Sequence, residues 1–212
     1  MSRRLAIPLL TAAVALSGCK PLSFLAYALW PGSREREVQA EYAGLADSTV
    51  AVVVYCDQGV LYEYPHVRLA VSSVVTEQLR QNVKGIRPID PRRIAKYQDE
   101  DIYWDEMDKT ALGKSFAADR VLFISLMHYS SREPGSLTLY RGRITAQASV
   151  YDVALPERKA RVWNWDNIKV VYPEHDPTGQ MRDSDAAIRF RTQQILADML
   201  AKKFYDHKVP IE

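Results

Sequence analysis

The run "TVAVVVYC", Thr49–Cys56, is the most constraining stretch of the chain: five aliphatic residues follow one another with no polar interruption. A half-buried strand alternates, one side chain to the core and the next to water. A run with no wet side needs cover on both faces, which in a water-soluble fold means a sheet with helices above and below it. The segment "DRVLFISLMHYS", residues 119–130, has the same character. Both are expected to be central strands.

The pattern then changes. In "LYRGRITAQASVYDV" the apolar or small side is Tyr140, Gly142, Ile144, Ala146, Ala148 and Val150, and opposite stand Arg141, Arg143, Thr145, Gln147 and Ser149. Period-two alternation of this kind marks a strand with one covered and one wet face. The turn "ALPERKA" joins it to "RVWNWDNIKVVY", so a long antiparallel hairpin spans about 137–172. Trp163 and Trp165 sit on one side of its second strand, where they either cover the core edge of the sheet or belong to a partner surface, and simple alternation places Asn167 and Lys169 on that side with them.

Between the apolar runs the spacing is helical. Val67, Val71, Val75 and Leu79 recur every four residues, Ala70 and Val74 fill the same face, and Gly85 is a stop signal. "IRPID" is a short strand at most. Asp90-Pro91 opens a small helix, with Asp as cap and Pro set for the first turn. Asp108 caps another, "KTALGKSFAA". A last helix runs from about Ser184 to Tyr205 with Asp183 as cap and Ile188, Ile195, Met199 and Leu200 inward. The expectation is a single α/β to α+β domain over 49–212, a mixed sheet with a long antiparallel hairpin and helices packed mainly on one face.

The amino terminus has a different logic. Met1-Ser2-Arg3-Arg4 is a positive segment, Leu5–Leu16 an apolar one too short and too interrupted (Pro8) to span a bilayer, and small residues precede Cys19. "LSGC" resembles the lipobox of bacterial lipoproteins. That resemblance implies residues 1–18 are a signal peptide and Cys19 carries the lipid (palmitate among its chains), since stable anchoring takes more than one acyl chain at ~0.8 kcal/mol per buried methylene. Lys20, where many enteric lipoproteins retained in the inner membrane have Asp, favours the outer membrane. Residues 19–48 read as anchor and tether, with a random-chain reach of about 30 Å. Within it Phe24, Leu25, Tyr27, Leu29 and Trp30 suit either the membrane interface or a flap on the domain.

Charge and chemistry exclude several functions. Removing the signal takes Arg3 and Arg4 with it, and the formal net charge of +2 falls to zero, so nothing favours a nucleic-acid partner. With Cys19 taken by the lipid, Cys56 is the one free cysteine of two, and no intramolecular disulfide is expected. It ends the first strand, ten residues before His66, and a thiol–imidazole pair there would suit an envelope hydrolase; no nucleophile signature surrounds it, and free cysteine is usually a core residue. His66, His128, His175 and His207 show no metal-ligand spacing, the acidic run "DEDIYWDEMD" lacks the glycine turn of a calcium loop, and no Gly-rich phosphate loop occurs. No metal and no cofactor is expected.

The order strand, long helix, "D-P"-capped helix and "LGKSFAAD" entering a buried strand is similar to the periplasmic domain shared by the curli-secretion lipoprotein, the lipoprotein activators of penicillin-binding proteins and the amino-terminal domain of the Tol translocation protein. It looks closer still to bacterial lipoproteins of uncharacterised role. The resemblance covers about residues 47–206 and implies a non-enzymatic accessory or assembly function through protein contacts; it transfers no binding residues. A curli-type channel is not expected, because a membrane strand needs an outward apolar band and this hairpin offers Arg141, Arg143 and Gln147. The expected protein is a lipid-anchored envelope factor facing the periplasm, with Arg141, Arg143, Gln147, Trp163 and Trp165 as candidate partner surface and self-association as one form of docking. The alternative is an envelope enzyme using Cys56 or an unrecognised carboxylate site.

Overall fold

A computed structural model describes residues 35–179 and 184–211. The signal segment, Cys19 and Asp183 lie outside the described residues. The elements in chain order are β1 (Glu35–Val38), β2 (Thr49–Cys56), α1 (Gln58–Glu63), α2 (Val67–Asn82), β3 (Arg87–Pro88), α3 (Pro91–Glu100), α4 (Lys109–Ser115), β4 (Arg120–Arg132), β5 (Leu139–Asp152), α5 (Glu157–Ala160), β6 (Arg161–Tyr172), β7 (Thr178–Gly179), α6 (Asp185–Ala201) and β8 (His207–Pro210). One compact unit, Glu37–His207, contains the whole main sheet; the described ends, residues 35–36 and 208–211, belong to a second small unit. β1 and β8 form a two-stranded sheet of their own.

The main sheet has the order β3-β2-β4-β5-β6, with β7 pairing β5 beyond the end of β6. β2 is parallel to both β3 and β4, while β5 runs antiparallel to β4 and to β6. The fold is therefore a mixed-sheet α/β to α+β arrangement. A right-handed crossover that leaves β2 for β3 and another that returns past β2 to β4 move in opposite directions along the sheet, so their helices fall on opposite faces. α2 makes the first crossover, and α3 with α4 the second.

Two separate cores result. On one face Val50, Val52 and Val54 of β2, Leu122, Ile124 and Leu126 of β4, and Ile144, Ala146 and Ala148 of β5 meet α2 and α6. On the other, Ala51, Val53 and Val121 meet Ile94 of α3, Leu112 of α4, Trp104 and Phe116. The unbroken apolar run of β2 is thus accounted for residue by residue. Each such fully buried side chain contributes about 1.5–3 kcal/mol. The two long helices share one face, and the short helices on the other cover β2, β4 and the Tyr151 end of β5; along β5 the outward side chains from Arg141 to Ser149 are half-buried or exposed.

Local chemistry sets the helix boundaries. Asp90 Oδ1 accepts from the Arg92 amide at 2.9 Å and Asp108 Oδ2 from the Thr110 and Ala111 amides, each at 3.1 Å, so both capping expectations hold. Past the end of α2, Gly85 has φ +66°, and a Cβ there would collide with the Asp47 carboxylate. Ser184 caps α6, its hydroxyl accepting from the Ala187 amide at 3.2 Å.

Two expectations need correction. Residues 40–48 are not free tether: Leu45 is fully buried, Tyr42 packs edge-on to Phe204 with centroids 6.5 Å apart, and the Asp47 amide donates to the Lys84 carbonyl. On β6 the alternation breaks. Ala148 pairs Trp165 and Ala146 pairs Ile168, so Asp166 and Asn167 together oppose Gln147 in a bulge with Asn167 at φ +56°. That extra residue flips the parity: Ile168 and Val170 join the indoles on the core side, and Asn167 does not continue it.

Candidate functional site

β2 lies between the two strands reached by crossovers of opposite direction, so its carboxyl end is the topological switch point of the parallel part. In open α/β sheets ligands favour that position, because the connections leave a crevice between them. Here the crevice is a cleft of about 670 Å³ lined by Tyr55, Cys56 and Asp57 from the end of β2, by Arg68 from α2, and by Gln98, Asp99, Ile102, Trp104 and Asp105 from α3 and the acidic loop that follows.

The polar groups of the cleft have defined partners. Asp57 caps α1, its Oδ1 accepting from the Val60 amide at 2.8 Å. Arg68 reaches Asp99 Oδ1 at 2.5 Å and lies over the Trp104 ring, 5.9 Å from its centroid. Gln98 is buried, and its amide nitrogen donates to the Val54 carbonyl at 2.9 Å, tying α3 to β2. Tyr55 packs at 6.1 Å from Trp104. Of these, only Cys56 was marked by the sequence as a candidate. Gln98, Arg68 and Trp104 were not marked, since they converge through tertiary packing across dozens of residues; the strand-end position and the acidic run were the available signals.

Cys56 is a buried free thiol. Burial pushes its thiol up to about 11, against the opposing pull of Arg68 and with Asp57 adding to the rise, so it is protonated at neutral pH. His66 lines a different cavity, a groove of about 290 Å³ with Tyr64, Tyr129, Arg189, Phe190 and Gln193 between the starts of α2 and α6. The imagined thiol–imidazole pair is not brought together.

That groove is bordered by a hydrogen-bonded cluster. Tyr64 and Tyr129 meet edge to face at 4.8 Å, the Ser131 amide donates to the Tyr64 hydroxyl at 3.2 Å, Ser131 Oγ donates to Asp185, and Gln193 Nε2 donates to the Tyr129 hydroxyl at 2.7 Å. Burial raises both phenols, Tyr129 to about 12, and both remain neutral. The cluster locks α6 to β4.

The five residues expected to form one partner surface fall on two faces. Arg141, Arg143 and Gln147 stand on the outward face of β5. There Glu133, at the end of the β4 ladder, takes both guanidinium groups: Arg143 Nη2 lies 2.7 Å and Arg141 Nε 3.7 Å from its Oε2, and Arg141 also donates to the His175 carbonyl. Gln147 is exposed. Trp163 and Trp165 are on the helix side. Trp163 meets Phe204 edge to face at 4.9 Å, and Lys203 Nζ sits 4.4 Å from the Trp165 centroid. Pairing with the core-facing Ala148 and Val150 puts the indoles against the core.

Among the described residues no group of three or more His, Cys, Asp or Glu could hold a metal, and no helix is long and apolar enough to cross a membrane.

No family model matches the chain, and no curated protein does. Solved structures do. A PelC dodecamer from Paraburkholderia phytofirmans is similar with a TM-score of 0.46 and 13% identity over 79% of this chain and 96% of that one. A lipoprotein from Neisseria meningitidis gives 0.43 and 11% over 72% and 98%. A Xanthomonas campestris protein of family model DUF330 gives 0.39 and 12% over 76% and 84%. At these scores the likeness carries nothing about chemistry or partners. The narrower likeness to the curli-secretion, penicillin-binding-protein-activator and Tol domains finds no support in them.

Proposed function

We propose that this chain is a lipid-anchored cell-envelope protein that acts as a non-enzymatic accessory or assembly factor through protein contacts. The observation that carries the anchor is the order positive segment, apolar segment, Leu16-Ser17-Gly18-Cys19. Replacing Cys19 by Ser removes the acceptor thiol and leaves the rest of the chain intact. The full chain is therefore expected to incorporate labelled palmitate and to fractionate with membranes, and Cys19→Ser to do neither. Label on the Ser variant would overturn the anchor. Lys20 favours the outer-membrane fraction for the wild type.

The contact role is supported by an outward face of β5 that no long helix covers and by a buried, protonated Cys56 where the rival hydrolase reading needs a reactive thiol. The docking surface is the outward face of β5, with Arg141, Arg143 and Gln147, and a second copy is one of its candidate partners. Arg141→Glu with Arg143→Glu puts two further carboxylates beside Glu133 and turns the face acidic, which weakens a charge-matched interface by several kcal/mol. Capture of the full-length chain from membranes should lose its partner in the double variant while circular dichroism is unchanged. Retention of every partner by the folded variant would remove this face from consideration. Cys56→Ala should keep cellular function at a cost of about 1–2 kcal/mol in stability. Loss of function at unchanged stability would reinstate the enzyme.

A further inference from the structure

The main sheet carries a step on one face. α3, α4 and the loop between them lie over β2, β4 and the Tyr151 end of β5, while the outward side of β5 from Arg141 to Ser149 and that of β6 stay half-buried or exposed. A helical layer is about 10 Å thick, so its flank stands beside the open strands as a wall of that height.

On the lower level cations outnumber carboxylates. Arg141 and Arg143 share the single carboxylate of Glu133. Lys169, opposite Thr145, adds a third cation to a face whose other carboxylate is Asp166. Arg141 Nε is shut away from solvent and makes no hydrogen bond among the described residues, although a terminal nitrogen of the same group donates to the His175 carbonyl. An unmatched N–H on a guanidinium that already shares its carboxylate leaves the pair short of acceptors.

The raised level carries the opposite charge. Asp105 and Glu106, in the loop between α3 and α4, are exposed, and neither carboxylate has a hydrogen bond or ion pair among the described residues. The loop itself is held: Trp104 is buried, the Glu106 amide donates to the Tyr103 carbonyl at 3.1 Å, and Asp101 Oδ1 accepts from the Tyr103 amide at 3.0 Å. It presents Ile102, 75% exposed, and Tyr103, 63% exposed, beside the acids. Without residues 1–18 the formal charges cancel, so the surplus on the open strands is matched by a deficit elsewhere on the same molecule.

The two levels lie at the same end of the sheet. Trp104 packs on Tyr55 at the carboxyl end of β2. Cys56 pairs Leu126 of β4, and four residues further along β4 Ser130 pairs Arg143. Lay two copies face to face and relate them by a half-turn about an axis along the strands. That operation keeps the level along the strands and exchanges the covered and open halves. The helical layer of each copy drops onto the open strands of the other, and the contact is isologous, made twice.

From these features we infer that the occupant of the β5 face is a second copy of this chain. Asp105 and Glu106 of one copy stand against Arg141, Arg143 and Lys169 of the other. Ile102 and Tyr103 meet Val171, which pairs Arg143 on the outward side and is 41% exposed. This rests on the β5 face as the docking surface proposed above and adds what docks there.

The test is sedimentation of the full-length chain in a detergent matched in density to the solvent. The wild type should be a dimer whose dissociation constant rises with salt. Asp105→Lys with Glu106→Lys disturbs no described side-chain bond and should raise that constant by about tenfold or more, as should Arg141→Glu with Arg143→Glu, each at unchanged circular dichroism. If the arginine variant fails to fold, the loop variant still decides. Mixing the two folded variants in equal amounts should restore the dimer, because each of its two contacts again pairs opposite charges. A folded loop variant that dimerises like the wild type, or a mixture that stays monomeric, overturns the pairing. A wild type that is monomeric throughout overturns the second copy. In that case a captured protein lost on Arg141→Glu with Arg143→Glu leaves the face standing with another occupant, and retention of every captured protein removes the face as well.

Discussion

The two halves of the main sheet obey different rules although they share hydrogen bonds. In the β3-β2-β4 half the strands are parallel, and β2 and β4 send side chains into a core on each face; in the β5-β6 half the strands are antiparallel and covered mainly on one. The connections cause the difference. A parallel neighbour can be reached only by crossing over the sheet, and each crossing leaves a helix behind, α2 on one face and α3 with α4 on the other. A hairpin needs only a turn, so β5 and β6 follow β4 with no crossover helix, and their outward face stays half-buried or exposed. The composition follows the cover: β2 has valine on both sides, while β5 alternates Ile144, Ala146 and Ala148 with Arg143, Thr145 and Gln147.

The sharpest way to break this comparison is to place the same charge in each half. Val53 is fully buried between β2 and the second core, so Val53→Asp buries a carboxylate without a partner and is expected to abolish folding. Gln147→Asp, on the bare face, should move stability by no more than about 0.5 kcal/mol in urea denaturation. Equal effects would mean that the faces do not differ as described. Next in size is Leu112→Ala in α4, which opens a cavity in the smaller core. A loss of about 2–5 kcal/mol is expected, and a loss below 1 would mean that α4 is not a true cover.

Gly142 probes the face the halves have in common. A Cβ on it would overlap the Thr192 side chain of α6, whose hydroxyl donates to the Ile188 carbonyl at 2.7 Å and cannot swing away without losing that bond. Gly142→Ala should cost about 1–3 kcal/mol by overpacking, and adding Thr192→Ala should recover part of it. The smallest effect concerns acid. The Thr49 amide donates to Asp119 at 2.7 Å, and this bond, helped by Arg87, holds the Asp119 carboxyl below its ordinary value. A depressed carboxyl stabilises the fold above its unfolded value near about 3.9 and loses that contribution as pH falls through the folded value. Denaturation midpoints measured from pH 5 down to 2 should therefore fall less steeply in Asp119→Asn than in the wild type. Parallel curves would show that Asp119 takes no part in the acid response.

The parts legible in the sequence were those set by neighbours a few residues away. The double cover of β2, the face of α2 through Val67, Val71, Val75 and Leu79, and the Asp90 and Asp108 caps all follow from short-range pattern. What was missed rests on distant contacts or on a single odd residue. Tyr42 and Leu45 look unremarkable until Phe204, at the far end of the chain, arrives to cover them. Asn167 tolerates a left-handed backbone, and no periodicity shows which Asn will use that tolerance. The six-residue α1 is too short to establish a period. The cleft was half legible: Cys56 at the strand end and the acidic loop were both visible, but nothing local brings Gln98 and Arg68 to them.

The bulge at Asn167 has a consequence for how copies of this protein coexist at high density. β6 is the outer border of the sheet, and a straight border of 12 residues would present an unbroken row of amides and carbonyls on which another chain's strand could template. Asp166 and Asn167 crowd against one partner residue and twist the border, and a second register shift, where Val150 pairs Trp163 and Tyr151 pairs Arg161, interrupts it again. The stretches between these breaks are short templates for cross-strand growth, and Lys169 sets a charge beside the first. The device that defeats the simple alternation of the sequence thus also makes the molecule a poor nucleus for fibrils.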